Sequence, residues 1–308
     1  MKLPLLSTTG VGSFPKPDYV KGAKGYLDDD SKVATEEFIR RQEEIGIDIL
    51  VDGELYRGDM ATDYARALGL PLSDWTRSYD NRFWKRGIVD APLERKEPIQ
   101  LEQFKYAQGL TDKPVKGMLT GPTTLSNWNY DKHYGDREKL ILAWAEIVNK
   151  EALDLEEAGA RFIQIDEPAI AERHWEGELF RMGLDKAREG VNTYIITHIC
   201  YSEFPMVYSR LRDLPVNQVD IELSNELDLG LKSRLLGMVK EDPISNYMDV
   251  AAGVIDVRPG IPVEDVDTVV KRIYTALEVL VPKDEMLQRI WIKPDCGFRT
   301  TKDPDMAY

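Results

Sequence analysis

Cys200 and Cys296, the chain's two cysteines, each stand at the end of an apolar run. Cys200 lies in Thr197-His198-Ile199-Cys200-Tyr201 and Cys296 in Trp291-Ile292-Lys293-Pro294-Asp295-Cys296-Gly297. Between them, Glu222 ends a third run, Val219-Asp220-Ile221-Glu222. Thiolate, imidazole and carboxylate are the groups zinc accepts in a tetrahedron. His198 and Cys200 are two apart, so on a strand both would face one side. His198, Cys200, Glu222 and Cys296 could therefore surround one zinc ion. Spacing alone favours a plainer reading, two buried cysteines and an ordinary histidine, because His-x-Cys is not a zinc-finger signature.

A zinc site with two thiolates and a carboxylate carries net negative charge and is a poor generator of hydroxide. It can instead hold an added thiolate that stays nucleophilic. A free thiol with pKa near 8.5 is only a few per cent ionised at neutral pH, and full ionisation recovers only about 2 kcal/mol. Placement against an electrophile can supply roughly 7–11 kcal/mol. Positioning should dominate such a reaction, with the metal as activator and anchor.

Two acids end further runs: Glu54 after Ile49-Leu50-Val51-Asp52-Gly53, and Asp166 after Phe162-Ile163-Gln164-Ile165. Both could project into a shared mouth and bind an ammonium group. Helix caps or ion-paired barrel acids are the alternative. Asp166 and Glu167 are adjacent, so they point to opposite sides of a strand and are no acid/base dyad. Gly10-Val11-Gly12-Ser13-Phe14-Pro15 fits neither G-x-G-x-x-G nor a P-loop. A tight turn is its simplest reading, although its backbone N–H groups could bind a carboxylate.

These groups need strands to hold them. β-rich runs span 5–10, 48–52, 115–119, 162–165, 194–197, 218–221, 250–255 and 289–292, and segments of helical period separate them, notably 31–45, 137–158, 178–191 and 263–280. Eight runs alternating with helices predict a closed (β/α)8 TIM barrel, with an open doubly wound sheet as the competing fold. In a barrel, functional groups gather at the C-terminal strand ends, where these polar residues fall. A chain of 308 residues, 43% hydrophobic, suits one such domain over 1–308. The stretch 55–114 is too long for an ordinary loop and predicts an insertion after strand 2, over the mouth. It crowds Trp75, Arg77, Tyr79, Arg82, Phe83, Trp84, Lys85 and Arg86 together, as either a docking surface or a packed lid hairpin. Asp303-Pro304 reads as a helix start, yet the sequence stops at Tyr308, so the final barrel helix is expected to be missing or supplied by a neighbour.

A net charge of −14 argues against nucleic acid and anionic membrane surfaces. No run approaches the roughly 20 apolar residues of a transmembrane helix. Two widely spaced cysteines suggest a reducing cytoplasm.

Taken in order, Thr9–Pro15, Asp48–Glu54, Lys113–Pro122, Ile163–Pro168, Thr197–Tyr201 and Pro294–Gly297 resemble the catalytic half of cobalamin-independent methionine synthase. The resemblance implies zinc held by His198, Cys200, Glu222 and Cys296, with homocysteine as methyl acceptor and its sulfur on zinc. It places the acceptor's amino group on Glu54 and Asp166 and its carboxylate near Gly12 and Ser13. Glu222 is expected to loosen as the substrate sulfur arrives. Trp128 matches a tryptophan near the methyl-donor pterin. Arg258 stands where the family usually has a histidine thought to protonate the departing folate nitrogen. A guanidinium cannot readily supply that proton. The family's N-terminal barrel has no counterpart in the sequence. Short single-barrel relatives take methyl from a corrinoid, which implies a corrinoid donor on a separate protein. Asp131-Lys132-His133-Tyr134-Gly135 is not a convincing cobalamin motif and reads as a solvated helix start. The alternatives are methyltetrahydrofolate as donor, another thiol acceptor such as coenzyme M, and a non-catalytic protein that binds zinc or homocysteine.

Overall fold

Two periods alternate along the chain, and each builds its own layer. The structure, a computed structural model, describes residues 3–20, 25–77, 83–200, 204–281, 284–301 and 307. Capping residues start the long helices. Asp28 accepts from Ser31 N at the head of α1 (Asp29–Glu44), Asp136 from Lys139 N at α5 (Arg137–Glu157), and Asp265 from Thr268 N at α10 (Val266–Leu280). Between α1 and α5 come α2 (Thr62–Ala67), α3 (Leu101–Gln108) and α4 (Pro122–Trp128). Then follow α6 (Gly177–Ala187), α7 (Phe204–Leu211), α8 (Ser224–Leu229) and α9 (Arg234–Glu241).

Six parallel strands form one sheet in the order β3 (Gly117–Thr120), β5 (Phe162–Asp166), β6 (Tyr194–Ile199), β7 (Gln218–Glu222), β8 (Asp249–Ile255) and β9 (Ile290–Pro294). Single parallel bridges close the ring: Thr8 to Ile292, Thr9 to Ile49, and Leu50 to Val115. The expected (β/α)8 TIM barrel is therefore present. Its first two strands are stubs around residues 8–9 and 49–50, tied by bridges rather than ladders.

The barrel wall sorts side chains by parity. Leu119, Ile163, Ile165, Ile195, Val219 and Val250 point outward and join the main core with Trp144, Val148 and Leu155 of α5. Inside, Ile49, Phe162, Ile196, Ala251 and Trp291 make an apolar floor. One step higher on the same faces, Lys116, Gln164, His198, Asp220 and Lys293 are all buried. A hydrophobic floor thus gives way to a charged layer directly beneath the mouth.

The 55–114 stretch carries α2, α3 and a hairpin of β1 (Leu72–Arg77) and β2 (Phe83–Val89). β2 also pairs with β4 (Tyr130–Asp131), which stitches the hairpin to the loop after α4. Tyr79, Arg82 and the expected helix start at Asp303-Pro304 lie outside the described residues. No helix among the described residues is long and apolar enough to cross a membrane.

Candidate functional site

His198 is carried by β6, Cys200 by the residue just past its end, and Cys296 by the turn after β9. The structure brings their ligand atoms within 4.8 Å of one another. Both cysteines are free. His198 is buried, and neither ring nitrogen has a hydrogen-bond partner among the described residues. Burial first, then Lys293 and Lys116, hold this imidazole well below its usual pKa and keep it neutral. The hydrogen bond that its S–H makes to Cys296, then burial, push the Cys200 thiol well above its ordinary range. A neutral buried imidazole without a partner, set beside two cysteine sulfurs, is a donor set that fits a divalent cation. Glu222 ends β7 opposite Gly253 but is not part of the compact trio. It lines a cavity of about 370 Å³ with Phe204 and Met206 of α7, Leu229, Arg234 and Asp295.

Across the mouth, Gly53 and Glu54 both take positive φ, 76° and 50°, which turns the Glu54 carboxylate inward. The Glu54 N–H donates to Asp52 at 2.9 Å, and its carboxylate pairs with Arg57 at 3.1 Å. Asp166, at the tip of β5, accepts from Gln164 Nε2 at 2.7 Å. Burial, then repulsion from Glu54, raises the Asp166 carboxyl to about 7. Arg57 is essentially fully buried and also donates to Thr120. Sequence reasoning missed this guanidinium. Its only signal was the Glu54-x-x-Arg57 spacing.

The Gly10–Phe14 loop is wedged between these halves. A Cβ on Gly12 would lie 2.8 Å from Met118 Cε and 3.0 Å from Glu54 Oε1. A Cβ on Gly297 would lie 2.2 Å from Ser13 Oγ. Gly12 and Ser13 thus sit between Glu54 on one side and the Cys296 turn on the other.

Glu167, one residue past Asp166, faces away. It accepts from Thr123 N at 2.9 Å and Thr124 N at 2.7 Å, capping α4. Trp128 at the end of that helix lies against Trp84 of the hairpin, ring centroids 5.7 Å apart. Arg86 stacks over Trp84 and Tyr130 at 5.8 and 5.2 Å. The aromatic and basic residues of the insertion are thus partly consumed in packing the lid. Arg258 is half exposed and its guanidinium is engaged by Asp256 at 2.6 Å and Asn225 at 2.8 Å. Asp131 accepts from the N–H groups of His133, Tyr134 and Gly135, an Asx-type turn into α5.

Similar proteins bear on this site. A relative from Parvibaculum lavamentivorans is 35% identical over 98% of this chain, and one from Salinibacter ruber is 33% identical over 98%. Both are named 5-methyltetrahydropteroyltriglutamate–homocysteine methyltransferase. The chain spans 41% of the length of each. Both names specify a methyltetrahydropteroyltriglutamate donor for those relatives, whereas the sequence resemblance led to the expectation of a corrinoid. Among solved structures, a B12-independent methionine synthase from Shewanella sp. W3-18-1, in complex with selenomethionine, superposes with a TM-score of 0.83 at 24% identity. The overlap covers 99% of this chain and 96% of that one. A methyltransferase from Methanosarcina mazei follows at 0.66 and 17%, covering 99% and 92%. These two likenesses establish the barrel. With residues 6–307 matching the family described as cobalamin-independent synthase, catalytic domain, the chain belongs to that family.

Proposed function

We propose that this protein is a zinc-dependent S-methyltransferase that converts homocysteine to methionine, using a methyltetrahydropterin-type donor. Residues 1–308 act in this reading as one barrel domain, with 55–114 folded over the mouth. The observation that carries it is the pairing of a compact His198–Cys200–Cys296 trio, whose His198 and Cys200 are buried, with the Glu54–Asp166 acid pair across one mouth. His198, Cys200 and Cys296 would hold the zinc, with Glu222 beside them as the fourth ligand. Bound there, zinc would supply a stabilised, still nucleophilic form of the acceptor thiol.

The chain's own residues do the positioning. The Glu54 charge repels that of Asp166, and Arg57, paired with Glu54, offsets part of that repulsion. A substrate ammonium relieves that repulsion, so an α-amino thiol is preferred over a thiol without an amino group, such as coenzyme M. Gly12 and Ser13 receive the substrate carboxylate. Trp128, backed by Trp84, offers a flat face to a pterin. Arg258, held by Asp256 and Asn225, fixes the β8–α8 rim of the mouth and carries no readily released proton.

The test is methionine formation from homocysteine with methyltetrahydropteroyltriglutamate or methylcobalamin, each with and without a chelator. Turnover with the folate-type donor, lost to chelation and restored by zinc, is the expected result. Turnover with methylcobalamin alone would move the donor assignment to a corrinoid. Zinc and homocysteine binding without turnover on either donor would make the protein a binder rather than an enzyme.

A further inference from the structure

Beneath the metal trio lies a lysine that the proposed chemistry does not use. Lys293 is 1% exposed, inside the barrel on β9. A buried ammonium needs partners. Its Nζ curls over the strand end and donates to the carbonyls of Pro294 at 3.1 Å and Asp295 at 3.2 Å. Those are the two residues immediately before Cys296. The Asp295 carboxylate in turn accepts from Leu223 N at 3.0 Å, from Ser224 N at 3.2 Å and from the Ser224 hydroxyl. Leu223 and Ser224 directly follow Glu222. Gly253 makes room for this carboxylate, since a Cβ there would lie 2.3 Å from Asp295 Oδ1. One short turn therefore ties Cys296 to the strand end that carries Glu222, and Lys293 fixes that turn from below.

We propose that Lys293 is a positioning residue for the metal centre, setting the Cys296 thiol through the Pro294 and Asp295 carbonyls and the Glu222 strand end through Asp295. The inference rests on the zinc reading above. Lys116, the other buried lysine of this layer, makes a natural contrast. Its Nζ donates to Gly10 O at 2.7 Å and to Gln164, on the acceptor side of the mouth.

The experiment measures zinc affinity by competition with a chromophoric chelator, and the thiolate absorption of the Co²⁺ form. Outer partners of metal ligands typically hold about 10- to 100-fold of metal affinity. K293M should lose zinc affinity in that range and change the Co²⁺ spectrum, whereas K293R, a cationic donor, should stay near wild type. K116M removes the smaller of the two lysine charge effects on His198 and no bond to the Cys296 turn, so it should leave the Co²⁺ thiolate absorption as in wild type and raise the homocysteine KM. If K293M does not fold, K293Q is read in its place. Zinc affinity and Co²⁺ spectrum equal to wild type in the neutral variant would overturn the role of Lys293. A wild-type protein that binds neither metal would instead overturn the zinc reading, and this inference with it.

Discussion

Asp166 and Glu167 are consecutive, yet their carboxylates leave β5 on opposite faces of the barrel wall. Asp166 turns inward to Gln164 and the Glu54 pair, and Glu167 turns outward to cap α4. Strand parity alone sends one acid into the mouth and the other to the helix outside it.

Glu167 should leave a signature in stability against pH. Burial raises its carboxyl from 4.5 to about 7, against the hydrogen bonds from Thr124 and Thr123 that favour ionisation. The unfolded chain releases this proton first as pH rises, so the unfolded state binds fewer protons between about 4.5 and 7. Stability must then fall with rising pH across that window and level off above it, by about 3 kcal/mol at most from this group. Urea denaturation at stepped pH should show that slope in wild type and a flatter one in E167Q.

Arg57→Met should be costly in two ways. It leaves Glu54 and Asp166 buried without their guanidinium, a loss of about 3–5 kcal/mol in denaturant unfolding. Homocysteine binding, read by calorimetry on the folded fraction, should weaken as well, because Glu54 loses the partner that orients it.

Gly297→Ala probes the contact between the Cys296 turn and the Gly12–Ser13 loop. The new methyl would start 2.2 Å from Ser13 Oγ and 3.0 Å from Ser13 O. Overpacking of this kind costs about 1–3 kcal/mol. The homocysteine KM should rise, while far-UV circular dichroism stays that of wild type.

Trp84→Ala removes the ring that backs Trp128. An aromatic pair contributes about 0.5–1.5 kcal/mol, so the donor KM should rise by up to about tenfold. An equal rise in the homocysteine KM would show that Trp84 serves the mouth as a whole rather than the donor side.

The strands with unbroken apolar runs were legible before any coordinates, as were the long capped helices. Phe162–Asp166 and Arg137–Glu157 match their expected bounds within a residue. The short helices α7, α8 and α9 were not read. Six to eight residues span barely two turns, too few for a 3.6-residue period to stand out. His198, Cys200 and Cys296 were legible because thiols and imidazoles are scarce and fall at strand ends. Arg57, Lys116 and Lys293 were not, since a lone cation in a sequence reads as a solvated surface residue until its buried partners are known. The relation of Glu222 to the trio also needed coordinates, because strand parity gives facing direction but not reach.

The way the ring closes has a mechanical consequence. His198 and Cys200 belong to β6 and its end, a strand laddered on both sides, and Cys296 follows β9, laddered to β8 on one side and bridged to the first stub on the other, whereas Gly12, Ser13 and Glu54 follow stubs held by one bridge apiece on each flank. The cation would rest on a stiff anvil, and the amino acid would enter beneath a yielding jaw. On the proposed reading, a guest would be gripped and released without loosening the hold on the ion.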